Sequence, residues 1–186
     1  MNFGWFVASF DVEATVLHRG VANGAEDAFA EVLPLLPDPP EAVAIDAPLF
    51  WAKQGDRRAD RIVRALMPRG HTSSVNHVNS LQGACLVQGV LIANRVAETW
   101  PSTLITEAHP SALRAICRPA QDFAKQHEHD FAGNEHIRDA ALAAFTAHAF
   151  ATCSEGWHDL VALEDQLPYF PGPPDVHYWF PEREIA

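Results

Sequence analysis

The chain has 186 residues, a mass of 20.5 kDa and a formal net charge of −11. Hydrophobic residues make up 48% and charged residues 20%, an ordinary globular balance that excludes intrinsic disorder for most of the chain. The acidic balance argues against a protein that holds nucleic acid by bulk positive potential, and no apolar stretch reaches the ~18 residues of a membrane span.

Trp5 to Asp11 is rich in aromatic and β-branched residues and predicts a strand; Thr15 to Val21 predicts a second. The break between them is short, so the two form a hairpin. Asn23-Gly24-Ala25-Glu26 resembles a capping box, with Asn23 as N-cap of an amphipathic helix that ends near Pro37. Ala42 to Pro48 is a short apolar run bounded by prolines, the pattern of a strand buried on both faces, and it ends in Asp46. Arg57 to Met67 predicts a basic helix, residues 68–79 a polar loop, and Leu81 to Trp100 the longest helix, stopped by Pro101. Thr103 to Glu107 is another short strand ending in a carboxylate. Pro110 and Ser111 open a short helix to about Cys117, and residues 118–133 read as a loop. Asn134 caps an alanine-rich helix to about Thr152. In the tail, Trp157 to Leu163 and Val176 to Phe180 read as edge strands around the Pro-rich connector Phe170 to Pro174. This order predicts an α/β domain over residues 1–186, a mixed sheet with helices on both faces, with 155–186 as its edge.

The charge is segregated. Residues 1–52 hold one base against eight acids, 53–118 nine bases against four acids, and 119–186 three bases against twelve acids. Lys53, Arg57, Arg58, Arg61, Arg64 and Arg69 fall within seventeen residues, which is either a solvated helix face or an anion-binding edge. The three cysteines, Cys85, Cys117 and Cys153, are far apart and lack zinc spacing. With no signal-peptide pattern at the start, they fit a reducing compartment and a soluble cytoplasmic protein.

Asp46 and Glu107 each end a predicted buried strand, where open α/β sheets place their sites. Asp139 lies in the first turns of a helix expected to pack on that sheet. Three carboxylates converging on one end would offer oxygen ligands to Mg²⁺ or Mn²⁺, and such ions can activate water for phosphodiester cleavage. Each acid also has a plain structural reading, as a turn or helix-end carboxylate. Arg57 and Arg58 fit phosphate recognition, with Ser73 and Ser74 in the following loop. Asp60 pairs with Arg57 or Arg64 along the helix. His109 is placed for proton transfer or a structural hydrogen bond. His127, His129 and His136 read as a solvated loop rather than a metal site. P-loop, nucleophile-elbow and dinucleotide signatures are absent.

The motifs Val43 to Leu49, Arg57-Arg58-Ala59-Asp60, Ile105 to Ala112 and Asp139 to Ala144, with Gly4-Trp5 near the start, together resemble a family of proteins regarded as RNase H-like nucleases, over nearly the whole chain. The resemblance implies the ribonuclease H-like fold, with Asp46, Glu107 and Asp139 as its metal ligands. It also implies a strand bearing Gly-x-Asp ahead of Gly4, which these residues do not contain. Asp11 takes that role only if Trp5–Asp11 stands in the first-strand position.

Two functions follow as expectations. One is a metal-dependent nuclease acting on a nucleic acid or nucleotide, with Arg57 or Arg58 steadying the phosphate. The other is a non-catalytic RNase H-like binding or scaffold module. A hydrolase of small phosphorylated metabolites is a third. A sheet that lacks its first strand would leave an uncovered edge, a place for pairing into a homodimer.

Overall fold

The computed structural model describes residues 2–11, 14–52, 56–68, 70, 72, 75 and 83–182, with backbone only at 84. Strands β1 (Phe3–Ser9) and β2 (Thr15–Ala22) form the expected antiparallel hairpin, with Trp5 opposite Gly20. A side chain at Gly20 would fall inside the Trp5 indole, so glycine lets the ring lie across β2 while its Nε1 donates to Glu31 at 2.6 Å.

Helix α1 (Ala25–Val32) follows, then a 3₁₀ turn at Leu33–Leu35. Asn23 is not its N-cap. Gly24 occupies that position without a side-chain bond, and the Ala25 N–H is taken by the Gln88 side chain of α3 (Gly83–Thr99). A neighbouring helix thus supplies the acceptor that the capping-box pattern assigned locally. Strand β3 (Ala42–Ile45) pairs in parallel with β4 (Leu104–Glu107), and β4 with β6 (Val176–His177). Helix α2 (Arg58–Leu66) lies between β3 and α3 in sequence.

After β4 come α4 (Pro110–Ile116), α5 (Arg118–Gln126), α6 (Glu128–Phe131) and α7 (Glu135–Ala151). The stretch 118–133, expected to be a loop, is thus two helices. Its few apolar residues are spaced to bury Ala120, Phe123 and Phe131, and this sparse face is hidden among polar neighbours. Asn134 caps α7 as expected, accepting from His136 N–H at 2.9 Å. At the end, β5 (Trp157–Asp159) pairs antiparallel with β7 (Trp179–Pro181), and a 3₁₀ turn at Val161–Leu163 replaces the rest of the expected strand.

The expectation of a single mixed sheet is only partly met. The fold is mixed α/β, but the strands form a β1–β2 sheet, a β3–β4–β6 sheet and a β5–β7 sheet. The first two do not join. Among the described residues, β1 pairs only with β2, and β3 only with β4. Between them lies a cavity of about 790 Å³. Bulky side chains of α1 and α3 (Phe29, Val32, Ile92, Val96), with Trp100 just past α3, line it together with the alanine stripe of α7 (Ala140, Ala143, Ala144, Ala147).

The flanking strands run in opposite directions across this slot. Gly4 lies against the His136 carbonyl at the start of α7 and Phe10 stacks on His148, in its last turn, so β1 runs along α7. Glu41 acts electrostatically on His148 and Asp139 on Asp46, so β3 runs against it. The slot explains why Ala42–Ala44 are half-buried rather than buried on both faces and why all of β1 is half-buried. Elsewhere the cores are dense: Phe50, Val63, Leu113, Leu142, Tyr178 and Phe180 form one, and Ile45, Leu49, Ile105 and Val176 belong to another. No helix among the described residues is long and apolar enough to cross a membrane.

Candidate functional site

The C-terminal ends of β3 and β4 carry Asp46 and Glu107 close to each other in the structure, since Ile45 and Glu107 are register partners. The backbone then turns: Ala47 N–H bonds the Ile45 carbonyl at 2.9 Å, and Ala108 N–H bonds the same oxygen at 2.8 Å. Gly89 of α3 presses against Ala47 so closely that a Cβ would collide, which holds the Asp46-Ala47-Pro48 turn against that helix.

Asp46 opens into the slot, and so does Asp139. Water reaches Asp46 through the cavity, yet protein crowds its carboxyl. That crowding, together with the charges of Asp139 and Glu107, pushes its pKa up to about 7. Asp139 is partly buried and accepts two bonds from its neighbour Arg138, at 3.0 and 2.9 Å. Cys85 of α3 also feels Asp46 and Glu107, and burial first and then these charges push its thiol up, so it is no poised nucleophile.

Glu107 is bonded on both oxygens within the protein. It is 2% exposed, and its two oxygens accept a bidentate pair from Arg57, Nη1 to Oε2 at 2.8 Å and Nη2 to Oε1 at 2.7 Å. Leu49 N–H adds a third bond at 3.0 Å. Arg57 in turn donates Nε and Nη2 to Asp60 at 2.9 and 2.7 Å and Nη1 to the Phe50 carbonyl at 3.1 Å. All five guanidinium N–H groups are engaged. The plane also lies over the Phe50 ring, 4.4 Å from its centroid. Burial opposes the charge on Arg57, but Glu107 and Asp60 outweigh it and hold the guanidinium protonated.

Arg57, expected at a phosphate, is therefore 1% exposed with no donor to offer. Asp60, read from sequence as a helix partner of Arg57, is that and also the second anion of a buried cluster. The Arg-x-x-Asp spacing carried this signal; the partnership with Glu107, fifty residues on, did not show in sequence. Arg61 bonds the Asp56 carbonyl at 2.6 Å and pairs with Asp165 at 3.1 Å, and Arg64 pairs with Asp56. Arg58 is exposed, and its guanidinium has no ion pair among the described residues. Its backbone N–H and that of Ala59 both donate to Glu164, at 2.9 and 2.7 Å, so a carboxylate already sits at the N-terminus of α2. Ser73 and Ser74 lie outside the described residues.

The carboxylates do not fit an Mg²⁺ or Mn²⁺ cage as placed. Glu107 has both oxygens committed to Arg57, leaving Asp46 and Asp139, and the described residues contain no group of three or more His, Cys, Asp or Glu arranged for a metal. His127 and His129 converge on Asp130, at 3.2 and 3.3 Å, beside Arg19 at 3.0 Å; this is a charge cluster around one acid. Asp11 sits past the end of β1 and accepts from Ser9 at 2.8 Å, so it does not stand in the middle of a central strand.

A site that sequence reasoning missed lies at the junction of β6 with β5. Asp159 accepts His177 Nδ1 at 2.7 Å, Tyr178 N–H at 3.1 Å and Val161 N–H at 3.0 Å. Burial works against the Asp159 charge, yet these bonds hold its carboxyl below the usual range, while the bond to Asp159 raises His177.

No curated protein and no solved structure gave a match to the chain. Residues 2–110 match the family described as protein of unknown function, DUF429, a span that takes in Asp46, Arg57, Asp60 and Glu107 but ends before Asp139. That match covers more than half of the 186 residues, and the chain belongs to this family.

Proposed function

We propose that the chain is a non-catalytic binding module built on a ribonuclease H-like framework. The observation that supports this is the commitment of Glu107. A carboxylate whose two oxygens accept from a buried guanidinium and a backbone N–H serves as structural counter-charge, since freeing it for a metal would leave Arg57 buried and unpaired. The carboxylate partners of Arg57, Arg61 and Arg64 point the same way, because they leave little net positive potential for a phosphate backbone.

One observation favours the second reading, a metal-dependent nuclease. Asp46 and Asp139 face the same cavity, and the charge of Asp139 adds to the cost of ionising Asp46, a strain that a divalent cation would relieve. Titration of the protein with Mn²⁺, followed by calorimetry, and incubation with single- and double-stranded DNA, RNA and hybrid duplexes separate the two. The binding-module reading expects no hydrolysis and no Asp46-dependent Mn²⁺ uptake. Cleavage that disappears in Asp46→Asn and Asp139→Asn, with melting temperature retained, establishes the nuclease instead.

A further inference from the structure

We propose that the outward face of the bridge between Trp51 and Tyr169 docks an uncharged, proline-rich segment of a partner protein in polyproline II form. This surface lies outside the carboxylate site, and the proposal stands whether or not Asp46 and Asp139 hold a metal. Trp51 and Tyr169 exchange both main-chain hydrogen bonds, at 2.7 and 2.8 Å, in an isolated antiparallel bridge. Phe50 is therefore opposite Phe170, and these two turn inward: their ring centroids are 6.2 Å apart and Phe50 is fully buried. Side chains alternate along an extended chain, so Trp51 and Tyr169 stand together on the other face, with Tyr169 69% exposed. Trp51, Ala52, Tyr169 and Pro171 line a shallow concavity there of about 440 Å³.

The platform is anchored from below. Arg57 donates to the Phe50 carbonyl and lies over the Phe50 ring, and Leu49 N–H is bonded to Glu107, so the segment that carries Trp51 hangs on the buried ion cluster. Both N–H groups of the bridge serve the bridge itself, so an added strand finds no donor at these residues. No charged side chain lines the concavity among the described residues, so a phosphate or a nucleotide has nothing to anchor it. The charges that flank it in sequence mostly answer one another: Glu164 caps α2, Arg61 pairs with Asp165 and Arg64 with Asp56, with the Arg58 side chain the exception on α2. The surface offers ring faces to an uncharged ligand.

A shallow, ring-lined surface cannot enclose a flexible side chain, and it gains most from a ligand whose apolar surface is already in place. Polyproline II meets that condition. It is extended without internal hydrogen bonds, loses little freedom on docking, and its pyrrolidine rings need no donor from the groove. Its repeat of three residues, about 9 Å, returns a ring to the same side once per turn, and side chains directly opposed in an antiparallel pair spring from Cα atoms about 5.5 Å apart. One turn therefore spans the pair and seats a pyrrolidine between indole and phenol, with the Tyr169 hydroxyl donating to a peptide carbonyl. A sugar would stack on the same rings, but its many hydroxyls need polar side chains, and the lining residues provide only a phenol and an indole N–H.

The test uses the whole isotope-labelled protein and a library of uncharged ten-residue peptides with Pro-x-x-Pro spacing. The Trp51 indole N–H signal, assigned by its loss in Trp51→Phe, is expected to shift saturably with the best peptide, together with the amides of Ala52 and Tyr169, while Trp5 and Trp157 stay in place. Tyr169→Ala, or Tyr169→Leu if the first variant melts early, is expected to weaken binding about ten-fold or more. Glycine in place of the peptide prolines is expected to cost about ten-fold or more. Raising salt from about 50 to about 300 mM is expected to change affinity less than about two-fold. The proposal is overturned if no library member moves the Trp51 signal, if the glycine-substituted peptides or Tyr169→Ala bind as tightly, or if a mononucleotide, cellobiose or octyl glucoside moves the signal and the peptides do not. It is also overturned if the signal shifts with protein concentration alone and Tyr169→Ala abolishes a dimer, which makes this face an interface between copies. A metal-dependent nuclease found in the preceding assay would overturn the non-catalytic reading without altering these results.

Discussion

Arg57 and Glu107, fifty residues apart, meet in the interior through two parallel hydrogen bonds of 2.7 and 2.8 Å. Asp60 closes the other side of the guanidinium, so one cation answers two anions. The cluster binds the start of α2 to the end of β4 and, through the Phe50 carbonyl and Leu49 N–H, to the turn after β3.

Removing the cation leaves two buried carboxylates facing each other. Arg57→Met is expected to destabilise the fold by about 3–5 kcal/mol, read as a lower urea midpoint with an unchanged slope. Replacing Glu107 by Gln and Asp60 by Asn in the same background should recover part of the loss. A midpoint unchanged in Arg57→Met would show that the cluster contributes no structural energy.

Asp46 is penalised when charged. Its pKa stands at about 7 against 3.8 for a free aspartate, so the folded state binds the proton more tightly than the unfolded one. The penalty is absent below pH 4, grows between about 4 and 7, and is full above 7. Asp46→Asn is therefore expected to stabilise the protein at pH 8, by about 1 kcal/mol because water in the slot screens the charge, and to change little at pH 4. Thermal unfolding at the two pH values checks the sign.

The Asp159–His177 pair follows the opposite logic on both sides. His177 is raised, so its contribution is whole below pH 6.5 and is lost as pH rises through its folded value. Asp159 is lowered, so its contribution is present above pH 3.8 and is lost as pH falls through its folded value. Wild type compared with His177→Gln should show the largest stability difference near pH 5–6 and a smaller one at pH 9.

Glu164 caps α2 with a carboxylate that accepts from Arg58 and Ala59 N–H. Glu164→Ala should cost about 1–2 kcal/mol, the range of a lost helix cap. Amide exchange in the first turn of α2 should rise more than in α7.

Gly4 meets the His136 carbonyl where a Cβ has no room. Gly4→Ala forces β1 away from α7 and should cost about 1–3 kcal/mol. Exchange should accelerate in β1 and β2 ahead of β3 and β4.

Local patterns in the sequence were enough for most elements. The hairpin, β3, β4 and the Asn134 cap follow from alternation, proline boundaries and one side-chain acceptor. The helices of 118–133 were hidden because three buried residues, Ala120, Phe123 and Phe131, carry their packing among charged neighbours. Asn23 was misread because the acceptor for α1 comes from Gln88, sixty-three residues away. At the site, residue types singled out Asp46, Glu107 and Asp139 as candidate carboxylates. What sequence could not show was which would be neutralised. Glu107 and Arg57 were assigned separate tasks, anion cage and phosphate contact, and the fold spends each on the other.

The 17-residue helix α7 touches both β1 and β3, and among the described residues no ladder of hydrogen bonds crosses between the β1–β2 and β3–β4–β6 sheets. The hairpin is consequently held to the remainder by side-chain contacts, the Trp5–Glu31 hydrogen bond and the Arg19–Asp130 ion pair among them. Peeling it away breaks apolar contacts but ruptures no shared backbone ladder, so β1–β2 constitutes a separable cooperative unit with a lower opening free energy than the parallel sheet. Proteolysis under native conditions would then begin at the hairpin while the three parallel strands and α7 stay intact.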